Sequence, residues 1–281
     1  MKPLVCLFFS LVLVLPGSAA EQPFREWTNS EGKKISAKLV GLEDGQITLA
    51  LPGGREYELD LDSLSQADQD FAEQWQIEQK AKAKLEALGT KLSQPTKVIV
   101  ESPFDKETPR TRKADLAGWK AGIGEWRIED GSLIGDEVAE DNHASSLTYR
   151  FEATHLVIKA EVQLGTANQI AFACRDTVPP NLHLGRLYIT PDKLWIQHMS
   201  GIAKTTRAEK LTVKEVDLDP SQWYDVTIEI VGDQYRATVG DEEIEATHSR
   251  FADPKGIVAL VNKGQGAKFR NVSLWHAEPT E

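Results

Sequence analysis

The sequence predicts a mainly β protein: a small N-terminal barrel, a helical spacer and a C-terminal two-sheet sandwich of the jelly-roll type. Three observations carry this expectation. Residues 24–64 alternate apolar and polar side chains around closely spaced Gly-containing turns, the period-two pattern of short hairpins. Residues 66–88 contain neither Gly nor Pro and are rich in Ala, Glu, Gln, Lys and Leu, which favour helix. Beyond residue 112 the alternation returns in about a dozen short runs punctuated by turn pairs such as Asp130-Gly131, Gly232-Asp233 and Gly240-Asp241. With no helical stretch between them, such runs bury their apolar faces by stacking two sheets.

Taken in order, residues 1–20 have the layout of a cleavable leader: basic Met1-Lys2, an apolar run from Leu4 to Leu15, then Pro16-Gly17-Ser18-Ala19-Ala20, with cleavage expected before Glu21. The run holds about 12 apolar residues, short of the roughly 20 that cross a bilayer as a helix. A secreted, periplasmic or cell-envelope location is expected, with no membrane span after cleavage. Cys6 leaves with the leader, so Cys174 is the only cysteine of the mature chain, which excludes an intramolecular disulfide. The formal net charge of -11 repels phosphate backbones and excludes nucleic acid as a partner.

The first module, 21–64, is built of two hairpins. Phe24 to Thr28 turns through Asn29-Ser30-Glu31-Gly32 into Lys34 to Val40, and Gln46 to Leu51 turns through Pro52-Gly53-Gly54 into Arg55 to Leu59, with Asp44-Gly45 between them. About five short strands in so few residues bury little as an open sheet, so closure into a barrel is expected. Trp27 is expected in its core. The spacer, 65–92, starts at Ser65, a helix N-cap ahead of Asp68, and stops at Gly89. At about 1.5 Å per residue it is about 35 Å long. Residues 93–111 carry Pro95, Pro103 and Pro109 and read as a connector that enters the second domain along an edge strand. The sandwich is expected over 112–277.

Two family resemblances follow from particular residues. Trp27-Thr28, Gly32, Ala37, Leu39, Asp44-Gly45, Ile47, Leu49, Gly54-Arg55, Leu59, Leu61, Leu64-Ser65 and Asp68 together resemble the Sla homology domain, which implies an SH3-like fold and a role in protein interaction. In the second module, Asp115-Leu116-Ala117-Gly118-Trp119, Trp126-Arg127-Ile128-Glu129-Asp130-Gly131-Ser132-Leu133-Ile134-Gly135, Trp223-Tyr224-Asp225-Val226-Thr227-Ile228 and Phe269-Arg270-Asn271-Val272 resemble a concanavalin A-like, laminin G-like sandwich. Within that class they are similar to the 3-keto-disaccharide hydrolase-like domain of exported bacterial proteins. Where that family commonly shows G-N-S-G, this chain has Ala167-Asn168-Gln169-Ile170.

Site candidates come from residue chemistry. Trp195, which alternates with Gln197, and Tyr188 offer aromatic faces for a sugar ring. Arg175, Asp176, His183, Arg186 and His198 fall on or near adjacent strands and suit sugar hydroxyls or a carboxylate, with His183 and His198 as a candidate metal pair. Asp136, Glu140 and Asp141, in one acidic loop, are Ca²⁺ candidates without the spacing of a dedicated calcium loop; no cofactor is expected. Glu215, Asp217 and Asp219 share one strand face by period two, but a solvated outer strand accounts for them and no catalytic residue is assigned. The expected function is therefore binding, with the sandwich contacting carbohydrate or an extracytoplasmic protein and the barrel serving as adaptor. Hydrolysis of glycosidic bonds in (3-keto-)disaccharides is the alternative and a structural envelope role the second.

Overall fold

The structure, a computed structural model, describes residues 23–86, 88–112, 115–177, 182–200 and 207–280. The expected leader at 1–20 lies outside the described residues. Among those described, no helix is long and apolar enough to cross a membrane. The chain divides into two compact units, 1–83 and 84–281.

In the first unit, strands β1 (Arg25–Thr28), β2 (Lys34–Glu43), β3 (Gln46–Ala50) and β4 (Glu56–Asp60) form an antiparallel meander in that order. Period two sends Ala37, Leu39, Ile47 and Leu49 to one face, where they bury with Trp27, whose Nε1 donates to the carbonyl of Ala37 at 3.0 Å. Closure does not use a fifth ladder strand. A single bridge joins Asn29 to Leu64, and helix α1 (Gln66–Glu86) brings Ala72 into the core and sets Phe71 edge-on to Trp27 at 5.7 Å. Its start is fixed by Asp68, whose buried carboxylate accepts from Thr28 N at 2.8 Å, Ser65 Oγ at 2.8 Å and Arg25 Nη2 at 2.6 Å.

The second unit contains β5 (Ser93–Ser102), β6 (Thr108–Thr111), β7 (Asp115–Leu116), β8 (Trp119–Ile123), β9 (Glu125–Glu129), β10 (Ser132–Asp136), β11 (Ser145–Ala153), β12 (Leu156–Gln163) and β13 (Gln169–Asp176). It continues with β14 (His183–Ile189), β15 (Lys193–Ser200), β16 (Arg207–Glu215), β17 (Tyr224–Val231), β18 (Gln234–Val239), β19 (Glu242–Thr247), β20 (Lys255–Lys263) and β21 (Ala267–Pro279). One sheet runs β19-β18-β17-β12-β21-β10-β9-β6 with β5 also paired to β21, and the other runs β16-β15-β14-β13-β20-β11-β8-β7. The two stack as a jelly-roll sandwich over one apolar core that includes Trp119, Trp126, Phe172, Phe251 and Phe269. Each such side chain contributes about 1.5–3 kcal/mol by leaving water. Residues 93–111 hold two strands of this sandwich, β5 and β6.

The hairpin β9–β10 explains a sequence motif. Asp130 and Gly131, at φ 51° and 66°, make its turn; the left-handed conformation at both positions matches the twist of the strands. Register then places Gly135 opposite Trp126. A β-carbon on Gly135 would meet the indole at 2.7 Å, so the Gly that ends the motif exists to admit the Trp that begins it.

A buried carboxylate holds the chain as it enters the sandwich. Glu229 on β17 is fully buried and accepts from the backbone N–H groups of Lys91, Leu92 and Ser93, from Ser93 Oγ at 3.0 Å and from Arg236 Nη1 at 2.7 Å. Arg236, itself buried, also donates to Glu243 at 2.6 Å.

Candidate functional site

Alternation decides what the eight-stranded sheet shows on its outer face. On β13, Ile170, Phe172 and Cys174 enter the core, as do Leu187 and Ile189 on β14, Leu194 and Ile196 on β15, Leu147 on β11, and Val258 and Leu260 on β20. Their neighbours therefore point outward: Ala171, Ala173, Arg175; Arg186, Tyr188; Trp195, Gln197; Thr148, Arg150; Ala259. Register aligns Gln197, Arg186, Ala173, Ala259 and Thr148 in one row across five strands. The adjacent row begins Trp195, Tyr188, Ala171. Small residues thus make the floor of this face and long ones its two sides.

The aromatic pair is tight. Trp195 and Tyr188 stack at 4.5 Å between centroids with planes 9° apart, and the ammonium of Lys210 stands over the Trp195 ring at 4.6 Å. Arg186 Nη1 donates to the Tyr188 hydroxyl at 3.0 Å, and its Nη2 lies 2.6 and 3.0 Å from the two ring nitrogens of His183. Burial together with the charges of Arg186 and Arg175 pushes the His183 pKa down to about 3. The imidazole is therefore neutral at physiological pH and free to accept from the guanidinium. Burial first, then repulsion from Arg186 and Arg150, lowers the pKa of Arg175. Three donors here, Trp195 Nε1, Arg175 Nε and Arg186 Nε, are buried without a hydrogen-bond partner.

Five of the candidates read from the sequence, Trp195, Tyr188, Arg175, Arg186 and His183, thus share one face. Two lie elsewhere. His198 belongs to the inward set of β15, is buried, pairs its Nδ1 with the carbonyl of Leu184 at 2.8 Å and stacks on His248 at 3.9 Å; it does not converge with His183. Asp176 follows a register shift after Arg175, and its carboxylate is held by Leu182 N and Arg250 Nη2, both at 2.9 Å. Arg150, Lys210, Gln197 and Thr148 were not singled out from sequence. Their outward position was legible from alternation, but the strand order that places them beside Arg186 was not.

The acidic loop is occupied by internal partners. Asp136 is buried and accepts from Arg110 Nη2 at 2.7 Å, Arg127 Nη1 at 2.6 Å and Gly266 N at 2.8 Å. Asp141 binds Arg112 and accepts from Gly124 N at 2.8 Å, while Glu140 is exposed. Among the described residues no three His, Cys, Asp or Glu side chains gather as a metal site. Glu215, Asp217 and Asp219 are exposed; Glu215 lies 3.6 Å from Lys193, and hydrogen bonds from Ser221 hold the Asp219 carboxyl below its usual range. A cavity of about 400 Å³ on the outer side of the other sheet is lined by Lys84, Leu88, Trp275 and Lys159 among others. Its Lys84 is paired with Glu101 at 2.6 Å.

Comparison with known proteins bears on the fold. β-Agarase B from Zobellia galactanivorans is 8% identical with a TM-score of 0.51, covering 68% of this chain and 97% of that chain. The laminarinase from Rhodothermus marinus is 13% identical with a TM-score of 0.49, covering 67% of this chain and 100% of that one. The carbohydrate-binding module CBM66 from Bacillus subtilis is 16% identical with a TM-score of 0.47, covering 56% and 95%. The agarase likeness shows the jelly-roll sandwich and, at that identity, the fold alone. No curated protein matches. Residues 112–274, more than half of the chain, match the 3-keto-alpha-glucoside-1,2-lyase-like domain, and the chain belongs to that family.

Proposed function

We propose that this is an exported carbohydrate-binding protein that holds a saccharide on the outer face of its eight-stranded sheet, with the N-terminal module, read as SH3-like, making protein contacts. The observation that carries the proposal is the group of three buried, unpartnered donors, Trp195 Nε1, Arg175 Nε and Arg186 Nε, around a stacked Trp195–Tyr188 pair. A buried donor left unmade costs about 1–3 kcal/mol, and sugar hydroxyls are acceptors of the right kind. The aromatic pair supplies apolar surface beside them. Export follows the leader expected at 1–20, and the family description itself names a glucoside.

The test is a glycan array probed with residues 21–281, run beside a turnover assay on 3-keto-glucosides. Retention of one saccharide class that falls in Trp195→Ala and Arg186→Gln supports the proposal. Retention indifferent to both substitutions overturns this site.

A second reading, cleavage of a 3-keto-glucosidic bond, draws support from the family and from His183 beside two guanidinium groups. Elimination next to a ketone needs one base and one cation at the developing enolate oxygen, and His183 with Arg175 or Arg186 matches those roles. Against it, an imidazole with a pKa near 3 is a weak base at neutral pH. Among the described residues the face also lacks the paired carboxylates of hydrolysis. Turnover that disappears in His183→Ala while binding persists would establish this second reading.

A further inference from the structure

The arginines of the sandwich fall into two sets. Arg110, Arg112, Arg127, Arg236, Arg250 and Arg270 each pair with a carboxylate. Among the described residues, Arg150, Arg175 and Arg186 have no such partner, nor does Arg207, which is exposed at the start of β16. The first three do not scatter. Arg175 and Arg150 both oppose Ile257 from either side, and Arg186 opposes Ala173, two residues before Arg175. Lys210 stands over Trp195 on the same face, also without a carboxylate partner among the described residues.

This is unexpected in a chain with a formal net charge of -11. Acids outnumber bases, yet Arg175 and Arg186 on neighbouring strands and Arg150 across β20 have no internal counter-charge among the described residues, and their mutual repulsion adds to burial in lowering the pKa of Arg175. Like charges held together in a half-buried setting cost free energy. Their persistence on a face with unpartnered guanidinium N–H groups is explained if a ligand brings the missing negative charge. Guanidinium groups match carboxylate and sulfate oxygens in geometry and form charge-assisted hydrogen bonds about twice as strong as neutral ones.

We infer that the saccharide taken by this face is acidic, bearing a uronate carboxylate or a sulfate ester that docks between Arg150, Arg175 and Arg186 while an adjoining ring lies against Trp195 and Tyr188. The inference rests on the carbohydrate-binding reading and narrows its ligand class. A neutral sugar satisfies the donors but leaves the repulsion; an anion relieves both.

The test is calorimetric titration of residues 21–281 with three oligosaccharides of equal length: an oligogalacturonate, a sulfated carrageenan fragment and a neutral β-glucan fragment. Each is run at about 50 mM and about 500 mM salt. The expected result is binding of one anionic oligosaccharide about tenfold tighter than the neutral one at low salt, with the advantage shrinking at high salt. The stronger of the two anionic arms tells uronate from sulfate. In Arg150→Gln, exposed and so not at risk in folding, the anionic-to-neutral ratio should fall about threefold or more. Equal or tighter binding of the neutral fragment, with Trp195→Ala weakening it, overturns the acidic ligand and leaves the carbohydrate reading standing. Absence of binding in all three arms overturns both, and an anionic preference unchanged in Arg150→Gln and Arg186→Gln overturns the assignment to these arginines.

Discussion

Trp195 gives the account its sharpest residue-level test, because it is large yet lies outside the sandwich core. Its ring contacts are Tyr188 and Lys210, so Trp195→Ala should lose saccharide retention at a stability cost well below the about 3–5 kcal/mol of emptying a core Trp site. Parallel array and thermal-melt measurements separate the two effects. The opposite behaviour is expected at Gly135, where an added methyl meets the buried Trp126: Gly135→Ala should destabilise by about 1–3 kcal/mol in urea unfolding and leave ligand affinity per folded molecule unchanged. Saccharide affinity should also be flat between about pH 5 and pH 8, since His183 takes a proton only near pH 3; a step near pH 6.5 in the titration would contradict its placement. Trp195 was legible in the sequence because Leu194 and Ile196 flank it and force it outward. His198 was misleading for the same reason, since period two carries it inward with Ile196, where its ring bonds to Leu184.

Among the elements, the segment from Lys91 to Ser93 is fastened to β17 by one carboxylate. Truncating Glu229→Ala would leave three backbone N–H groups and the Nη1 of the buried Arg236 without the carboxylate they share. A loss of about 3–5 kcal/mol is expected in denaturant unfolding. The neighbouring Glu243 should dominate acid sensitivity here: hydrogen bonds from Arg236 and Lys91 bring its pKa down from 4.5 to about 2. A depressed carboxylate contributes stability above its unfolded pKa and loses it as pH falls through the folded one. Unfolding free energy should thus drop between about pH 4.5 and pH 2, and Glu243→Gln should flatten that window. Strand β17 was legible as an apolar run, but the role of Glu229 within it was not, because the backbone N–H groups it accepts from lie more than a hundred residues earlier. The three prolines made 93–111 read as a connector; Pro95 is nonetheless compatible with β5, which among the described residues pairs with β21 alone and can spare a backbone donor on its free edge.

Over the whole molecule, the mainly β class and the jelly-roll sandwich were legible because period two persists through the C-terminal two-thirds of the chain with no α-helix among the described residues. The strand order was not, since β13 sits between β14, its neighbour in sequence, and β20, some eighty residues on. The site inherits that limit: Arg175 and Arg186 come from consecutive strands and were found, whereas Arg150 reaches them across β20 and was missed. The division at residue 83/84 leads to the expectation that residues 84–281 expressed alone give a cooperative melt and keep saccharide binding. The most direct measurement is a two-dimensional nitrogen–proton spectrum of the tryptophan indole groups during titration with the saccharide selected by the array. Trp27, Trp119, Trp126 and Trp275 have their indole N–H committed to Ala37, Ser102, Ile123 and Ser273, while that of Trp195 is unpartnered. The account predicts that the Trp195 resonance moves with saturation as those four stay in place; a saturable shift at Trp75, Trp223 or Trp275 with Trp195 unmoved would contradict it.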